Sequence, residues 1–460
     1  MQGAAAAFGF IVPGLTNESG DTEIFGHCRE PCCGLGPCSK SSKTNGFRPF
    51  SMAANLIVSV AVGLLSFGAL LLVVAEVGRR HGTGRQRKTL WPREGRETVD
   101  RDNRVVAGPS AAHNSILCTS CRGLVRVESL QCPTCGSTIE KDSSGVIRAT
   151  KEDYFFGANR QAAEQVVDFF HSVLPGKQEA AYGEAELRFS EFQVGYCVSH
   201  RRSDWLELFD LDGKVVADLG CGWGPISVAA SKRAKLVFAL DATLPRLQFL
   251  GERLRLEGVG NVVPIHCDAF DIPIPNASLD LVFLIGLLEY AGLAKPMLEP
   301  EVGQEALLRE VHRVLRPDGQ LVLGIENRYY GAHFLGHSSH GDLPLVAVVP
   351  RVIANAVNLA FRGDKYRTLT HSIRGYAKLL KRAGFEAVTS FATLPHYQSP
   401  IWVFETRFSQ WAAARLLRNS LPSTRWERFV LHRIAPFLAA SRLLYWLSPA
   451  FFVHSRRDPR

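Results

Sequence analysis

Between residues 211 and 330, short apolar runs alternate with amphipathic stretches. β-rich runs fall at KVVADL (214–219), KLVFALD (235–241), NVVPIHC (261–267), LDLVFLIG (279–286) and QLVLGIE (320–326). Between them, helical patterns lie around 225–233, 244–257 and 301–316. Strand–helix alternation at this spacing predicts a parallel sheet with crossover helices, an α/β sandwich. SPAFFVHSRR (448–457) reads as its last strand, and patterned apolar residues over 144–210 predict helices packed before it. The main domain is expected over 211–456, and no internal repeat is visible.

A second apolar pattern lies nearer the N-terminus. Residues 52–75, MAANLIVSVAVGLLSFGALLLVVA, carry no charge. As a helix this stretch spans ~36 Å against ~30 Å of bilayer hydrocarbon, which predicts a transmembrane helix. RRHGTGRQRK (79–88) follows it. Positive charge on that side predicts a single-pass protein whose catalytic bulk is cytosolic. Residues 1–51 are read as a disordered leader, with Cys28, Cys32, Cys33 and Cys38 in it, and 76–112 as a basic linker. Met52 opens the apolar run and is an alternative start. The net charge of +9 gathers after the apolar stretch and near the C-terminus. That pattern suits an anionic membrane surface, and no Lys/Arg run interleaved with aromatics points to nucleic acid. RWERFVLHRIAPFLAASRLLYWL (425–447) reads as an amphipathic helix, on the membrane or against the core.

Over 113–143 the chain holds Cys118, Cys121, Cys132 and Cys135, a CxxC, ten residues, then CxxC. Two intervening residues let both thiolates of a knuckle face one tetrahedral ion, and the second knuckle completes the site. The spacing predicts a zinc ribbon with structural Zn2+, since four protein ligands leave no position for substrate. It resembles small zinc ribbons that precede the catalytic domain of some bacterial methyltransferases. A self-contained ribbon would be separable. Cys132→Ser would then cost zinc and local stability while the remainder still bound its ligand.

The stretch VVADLGCGWGPISVAA (215–230) ends a strand and opens a helix. Gly220, Gly222 and Gly224 remove Cβ atoms where a ligand lies against backbone, and Pro225 suits a helix's first turn. Dinucleotide enzymes also use a glycine loop here, but they want G-x-G-x-x-G, and Ser227 stands three after Gly224. Asp241 ends the second strand and Asp268 follows the third, and LLREVHRVLRPDGQLVLGIE completes the pattern. Together these resemble the class I S-adenosylmethionine-dependent methyltransferases, which implies a Rossmann-like seven-stranded sandwich. The resemblance implies that Gly220, Gly222 and Gly224 line the methionine part of S-adenosylmethionine and that Asp218 sits near its amino group. It places Asp241 on the ribose, Asp268 with Ala269 on adenine, and Ile285 with Gly286 beside the methyl. Asp218 as a helix cap, and Asp271 in place of Asp268, remain alternatives.

Methyl transfer is an in-line displacement, so the protein's task is alignment plus, for a hydroxyl acceptor, a base. Glu289, His337 and His340 are the candidates, on loops after the fourth and fifth strands where α/β sheets bind ligands. ENRYYG, THSIRGYAKLLKRAGF and LPHYQSP resemble methyltransferases of bacterial cell-surface glycan and O-antigen assembly. That resemblance implies a glycan or lipid-linked hydroxyl acceptor. A quinone, lipid or other small-molecule acceptor is the alternative. A nicotinamide dehydrogenase, or a scaffold binding partners through the ribbon, would be the other classes.

Overall fold

A computed structural model describes residues 114–152, 154–155, 159–335, 343–400, 402–405 and 446–458. The transmembrane stretch 52–75, the leader, the linker, most of the amphipathic segment, His337 and His340 lie outside these residues. Among the described residues no helix is long and apolar enough to cross a membrane. Every element described below lies within one compact unit.

Strands β1 (Ser115–Leu117) and β2 (Leu124–Arg126) pair antiparallel as a small hairpin. Strand β3 (Ile147–Arg148) follows, then helices α1 (Arg160–His171), α2 (Gln178–Arg188) and α3 (Val194–Cys197). The α/β alternation runs β4 (Val215–Leu219), α4 (Pro225–Ala230), β5 (Leu236–Asp241), α5 (Leu244–Glu257), β6 (Val262–His266) and β7 (Leu279–Ile285). It continues through α6 (Ala291–Ala294), α7 (Pro300–Val314), β8 (Leu315–Glu326), α8 (Arg351–Arg362) and α9 (Ile373–Arg382). Strands β9 (Phe385–Leu394), β10 (Trp402–Glu405) and β11 (Ala450–Arg457) complete it.

One sheet orders these strands β10-β9-β11-β8-β7-β4-β5-β6-β3. Neighbours from β3 to β8 are parallel, whereas β11 is antiparallel to both β8 and β9, as is β10 to β9. The expected seven strands, β9 to β6 in that order, are therefore extended at both edges to nine among the described residues. One extra edge, β3, lies in the segment expected to be helical. At two residues it is too short to carry a period, and its backbone pairing to β6 defines it. Pro317–Gly319, which lie between the expected helix (301–316) and the expected strand (320–326), fall inside β8. The register jumps from Leu279↔Leu315 to Leu281↔Gln320, and Asp318 adopts φ +61°.

Side chains of β4 alternate as a pleated strand requires. Val215, Ala217 and Leu219 join Leu307, Leu308 and Val311 of α7 on one face. Val216 joins Leu247, Leu250 and Leu254 of α5 on the other. α1 and α2 cover the outer side of α5 through Phe170, Tyr182, Phe192, Trp223 and Phe249.

The cysteine hairpin shares its buried side chains with the main domain. Ile116, Cys118, Val125, Leu130 and Cys132 share one buried cluster with Ile265, Cys267, Ile272 and Ile274 of the main domain. Leu117 N–H donates to Pro273 O at 2.9 Å, Ala149 N–H to His266 O at 3.0 Å, and Arg122 pairs with Asp271 at 3.0 Å. A ribbon of this size has too little core of its own, so it borrows the domain's.

Candidate active site

The glycine loop follows β4 and rises over the C-terminal ends of β4, β5 and β7. Gly220, Gly222 and Gly224 have φ of +78°, +55° and +81°, a region that L side chains rarely adopt. Their surroundings differ. A Cβ at Gly224 would stand 2.4 Å from Leu250 Cδ1, and one at Gly220 3.0 Å from Leu287 Cδ2. A Cβ at Gly222 would meet nothing within 4 Å. Gly224 therefore permits close packing on α5, while Gly222 faces open space.

That space is a cavity of about 600 Å³. Gly220, Gly222, Asp241, Asp268, Ala269 and Ile285 all line it, so most of the residues singled out from sequence converge. Asp218 and Gly224 do not. Asp218 is fully buried behind the loop and accepts the Ser227 hydroxyl at 2.6 Å. Burial pushes its carboxyl up to about 7, partly offset by that hydrogen bond. Asp218 thus braces the start of α4 from beneath, close to the capping alternative.

Asp241 holds the loop as well as lining the cavity. Its Oδ2 accepts Gly222 N–H at 2.8 Å and its Oδ1 accepts Thr243 N–H at 2.7 Å. Asp268 accepts Phe270 N–H at 3.0 Å and pairs with Lys295 Nζ at 2.6 Å. The hydrogen bond from Lys295 raises that amine's pKa. Asp271, the alternative, is turned to Arg122 of the hairpin and does not line the cavity.

At the other end the wall is Gly286, Leu287, Tyr290, Tyr397 and Gln398. A Cβ on Gly286, where φ is +69°, would lie 2.5 Å from Tyr397 Oη, so glycine is what admits the tyrosine. Tyr397 donates to Glu289 Oε1 at 3.4 Å, and burial pushes its phenol well above the usual range. Glu289 is buried beneath the wall rather than in it. His396 Nε2 meets Glu326 Oε1 at 3.3 Å, joining the LPHYQSP and ENRYYG segments.

Tyr154, Phe155, Tyr196, Arg202 and Arg246 also line the cavity and were not foreseen. Arg202 donates to Tyr196 O at 2.9 Å and stacks on that ring at 4.0 Å. Tyr397 lies in LPHYQSP. A lone tyrosine carries no spacing signal, and only the return of the chain from β9 brings it to Gly286.

In the hairpin the four cysteine sulfurs lie within 4.8 Å of one another. Cys118–Cys135 is 3.7 Å and Cys121–Cys132 is 3.5 Å. These separations exceed a disulfide's ~2.05 Å. They match the ~3.8 Å edge of a tetrahedron with ~2.3 Å metal–sulfur bonds.

Residues 217–323 match the family model described as a methyltransferase domain. The demethylmenaquinone methyltransferase of Clavibacter sepedonicus is 34% identical over 236 residues, covering 47% of this chain and 85% of that protein. The chain belongs to the S-adenosylmethionine-dependent methyltransferases. A tRNA (guanine(37)-N(1))-methyltransferase of Pyrococcus abyssi is 41% identical over 63 residues, and the chain covers only 19% of its length. Among solved structures, YcgJ of Bacillus subtilis is similar at TM-score 0.33 and 14% identity, covering 56% of this chain and 98% of that one. The Haemonchus contortus phosphoethanolamine N-methyltransferase 2 with S-adenosylmethionine is similar at TM-score 0.36 and 14% identity, over 64% of this methyltransferase and 60% of that chain.

Proposed function

We propose that this methyltransferase acts on the hydroxyl of a lipid-soluble small molecule of the phenol or quinol type. The observation that carries this reading is the aromatic and apolar wall of Leu287, Tyr290 and Tyr397, continuous with the glycine-loop cavity. The likeness to a demethylmenaquinone methyltransferase supports the quinone or quinol class of acceptor, not the choice of its oxygen. The uncharged stretch 52–75 supports anchoring at a membrane, with the catalytic domain on the cytosolic side, where such acceptors dissolve.

S-adenosylmethionine, when bound, supplies a sulfonium methyl. The chain's residues align it. The open space at Gly222 admits the methionine part, and Asp241 keeps acceptor capacity for ribose hydroxyls beside its two backbone donors. Asp268 and Ala269 receive adenine, with Lys295 fixing the carboxylate. Ile285 and Gly286 flank the methyl. The four cysteines hold Zn2+, for which their sulfur separations and donor chemistry fit, and its role is structural.

A glycan or lipid-linked sugar hydroxyl is the second reading. The contact of His396 with Glu326 favours it, since it unites the two segments that resemble glycan-associated enzymes. Incubating the full chain with methyl-labelled S-adenosylmethionine and, in parallel, 1,4-dihydroxynaphthalene or lipid-linked oligosaccharide separates the two. Label on an oxygen of the naphthol supports the first reading, label on its ring carbon overturns the choice of hydroxyl, and label on the oligosaccharide alone replaces it with the second.

A further inference from the structure

We propose that Tyr397 and Glu289 form a proton relay at the methyl-transfer end of the cavity, with Tyr397 touching the acceptor and Glu289 taking the proton. This rests on the hydroxyl-acceptor reading above. Contiguity fixes the place. Gly220 of the loop packs against Leu287, Leu287 follows Gly286, and Gly286 abuts Tyr397 Oη. Tyr397 is therefore at the methionyl end of the cavity, and Asp268 with Lys295 marks the other. The phenol is buried apart from this wall, and its hydroxyl is directed to Glu289 Oε1 at 3.4 Å. Such hydrogen bonds are often long before substrate binds.

The placement of Glu289 is itself held from several sides. Its backbone carbonyl accepts Leu369 N–H at 3.1 Å. Gln304 Nε2 donates to Leu288 O at 3.2 Å and to Leu369 O at 2.6 Å, tying the same two segments together. Glu289 is fully buried and lies one hydroxyl, that of Tyr397, behind the cavity wall.

The step balances as follows. A lone pair of the acceptor oxygen forms the bond to the methyl carbon, while the sulfur–methyl pair stays on sulfur and cancels its positive charge. The acceptor's hydroxyl proton passes to Tyr397 Oη as the tyrosine's own proton passes to the Glu289 carboxylate. Tyr397 is never left as a phenolate, which suits a phenol whose ionisation burial opposes. After the ether and S-adenosylhomocysteine leave, Glu289 returns its proton through the same hydroxyl to water.

The test uses the full chain, S-adenosylmethionine and 1,4-dihydroxynaphthalene as the acceptor probe. Tyr397→Phe keeps the ring and removes the relay, so kcat should fall about 10²-fold or more. KM for both substrates and the calorimetric affinity for S-adenosylmethionine should stay within about threefold of wild type. The wild-type solvent deuterium isotope effect on kcat should disappear in this variant. Glu289→Gln should lower kcat similarly, and Tyr397→Phe keeps the test decisive if a buried amide there impairs folding. Unchanged kcat in Tyr397→Phe overturns the relay and leaves the acceptor reading standing. Wild-type protein that binds S-adenosylmethionine and methylates neither the probe nor lipid-linked oligosaccharide overturns both.

Discussion

The two glycines Gly222 and Gly224 are two residues apart, and the structure predicts different fates for the same substitution. At Gly222 an added methyl meets no protein atom within 4 Å, so alanine there costs only the left-handed backbone at φ +55°. That is about 1–2 kcal/mol, a fall of a few degrees in Tm. The methyl occupies space that the cofactor needs, so affinity for S-adenosylmethionine should drop about tenfold or more, equivalent to ~1.4 kcal/mol. At Gly224 the methyl would lie 2.4 Å from Leu250 Cδ1, in the buried seam between the loop and α5. Overpacking adds about 1–3 kcal/mol to the backbone term. Gly224→Ala should therefore lose about 2–5 kcal/mol of stability and unfold well before Gly222→Ala. Thermal unfolding and calorimetric titration of both variants decide it. Wild-type cofactor affinity in Gly222→Ala, or equal stability of the two variants, would refute the reasoning.

Three further outcomes are expected. Cys132→Ser should abolish zinc, measured by elemental analysis, and also weaken S-adenosylmethionine binding, because the hairpin packs on the 267–274 segment that carries Asp268. Unchanged affinity in the zinc-free variant would instead make the ribbon the separable module that its spacing suggests. Burial lowers the His454 pKa to about 4, so neutral His454 stabilises the fold above its ordinary value near 6.5, and that contribution is lost as pH falls through about 4. His454→Gln should thus narrow the loss of Tm between pH 7 and pH 4.5; an identical loss in both proteins would remove His454 as the cause. Arg122→Ala should change Tm by no more than a degree or so, since an exposed pair contributes about 0–1 kcal/mol, and a larger fall would show that the Asp271 contact matters more than its exposure implies.

The parts of this molecule that obey a period were legible in the sequence. Five of the six parallel strands, β4 to β8, the helices between them and the closing strand at 450–457 announce themselves by apolar runs, and the glycine loop by its missing Cβ atoms. Asp241 and Asp268 followed because strand ends fix where carboxylates emerge. What was not legible depends on tertiary closure. Asp218 reads as a ligand residue but is turned under the loop to Ser227. β3 is too short for a pattern and exists only through its pairing with β6. Tyr397 reaches the site from 107 positions beyond Tyr290, and nothing local marks it. The ribbon's spacing predicted its sulfur cluster correctly but not its shared core, because spacing describes ligands and not the surface beneath them.

The central claim is that the cavity over Gly222 receives S-adenosylmethionine. Calorimetric titration of the full chain with S-adenosylmethionine and, separately, NADH tests it most directly. The account predicts one site per chain for S-adenosylmethionine, with a Kd on the order of micromolar, weakened by Gly222→Ala, and no heat with NADH. Saturable binding of NADH alone, or S-adenosylmethionine binding that Gly222→Ala leaves untouched, would contradict it.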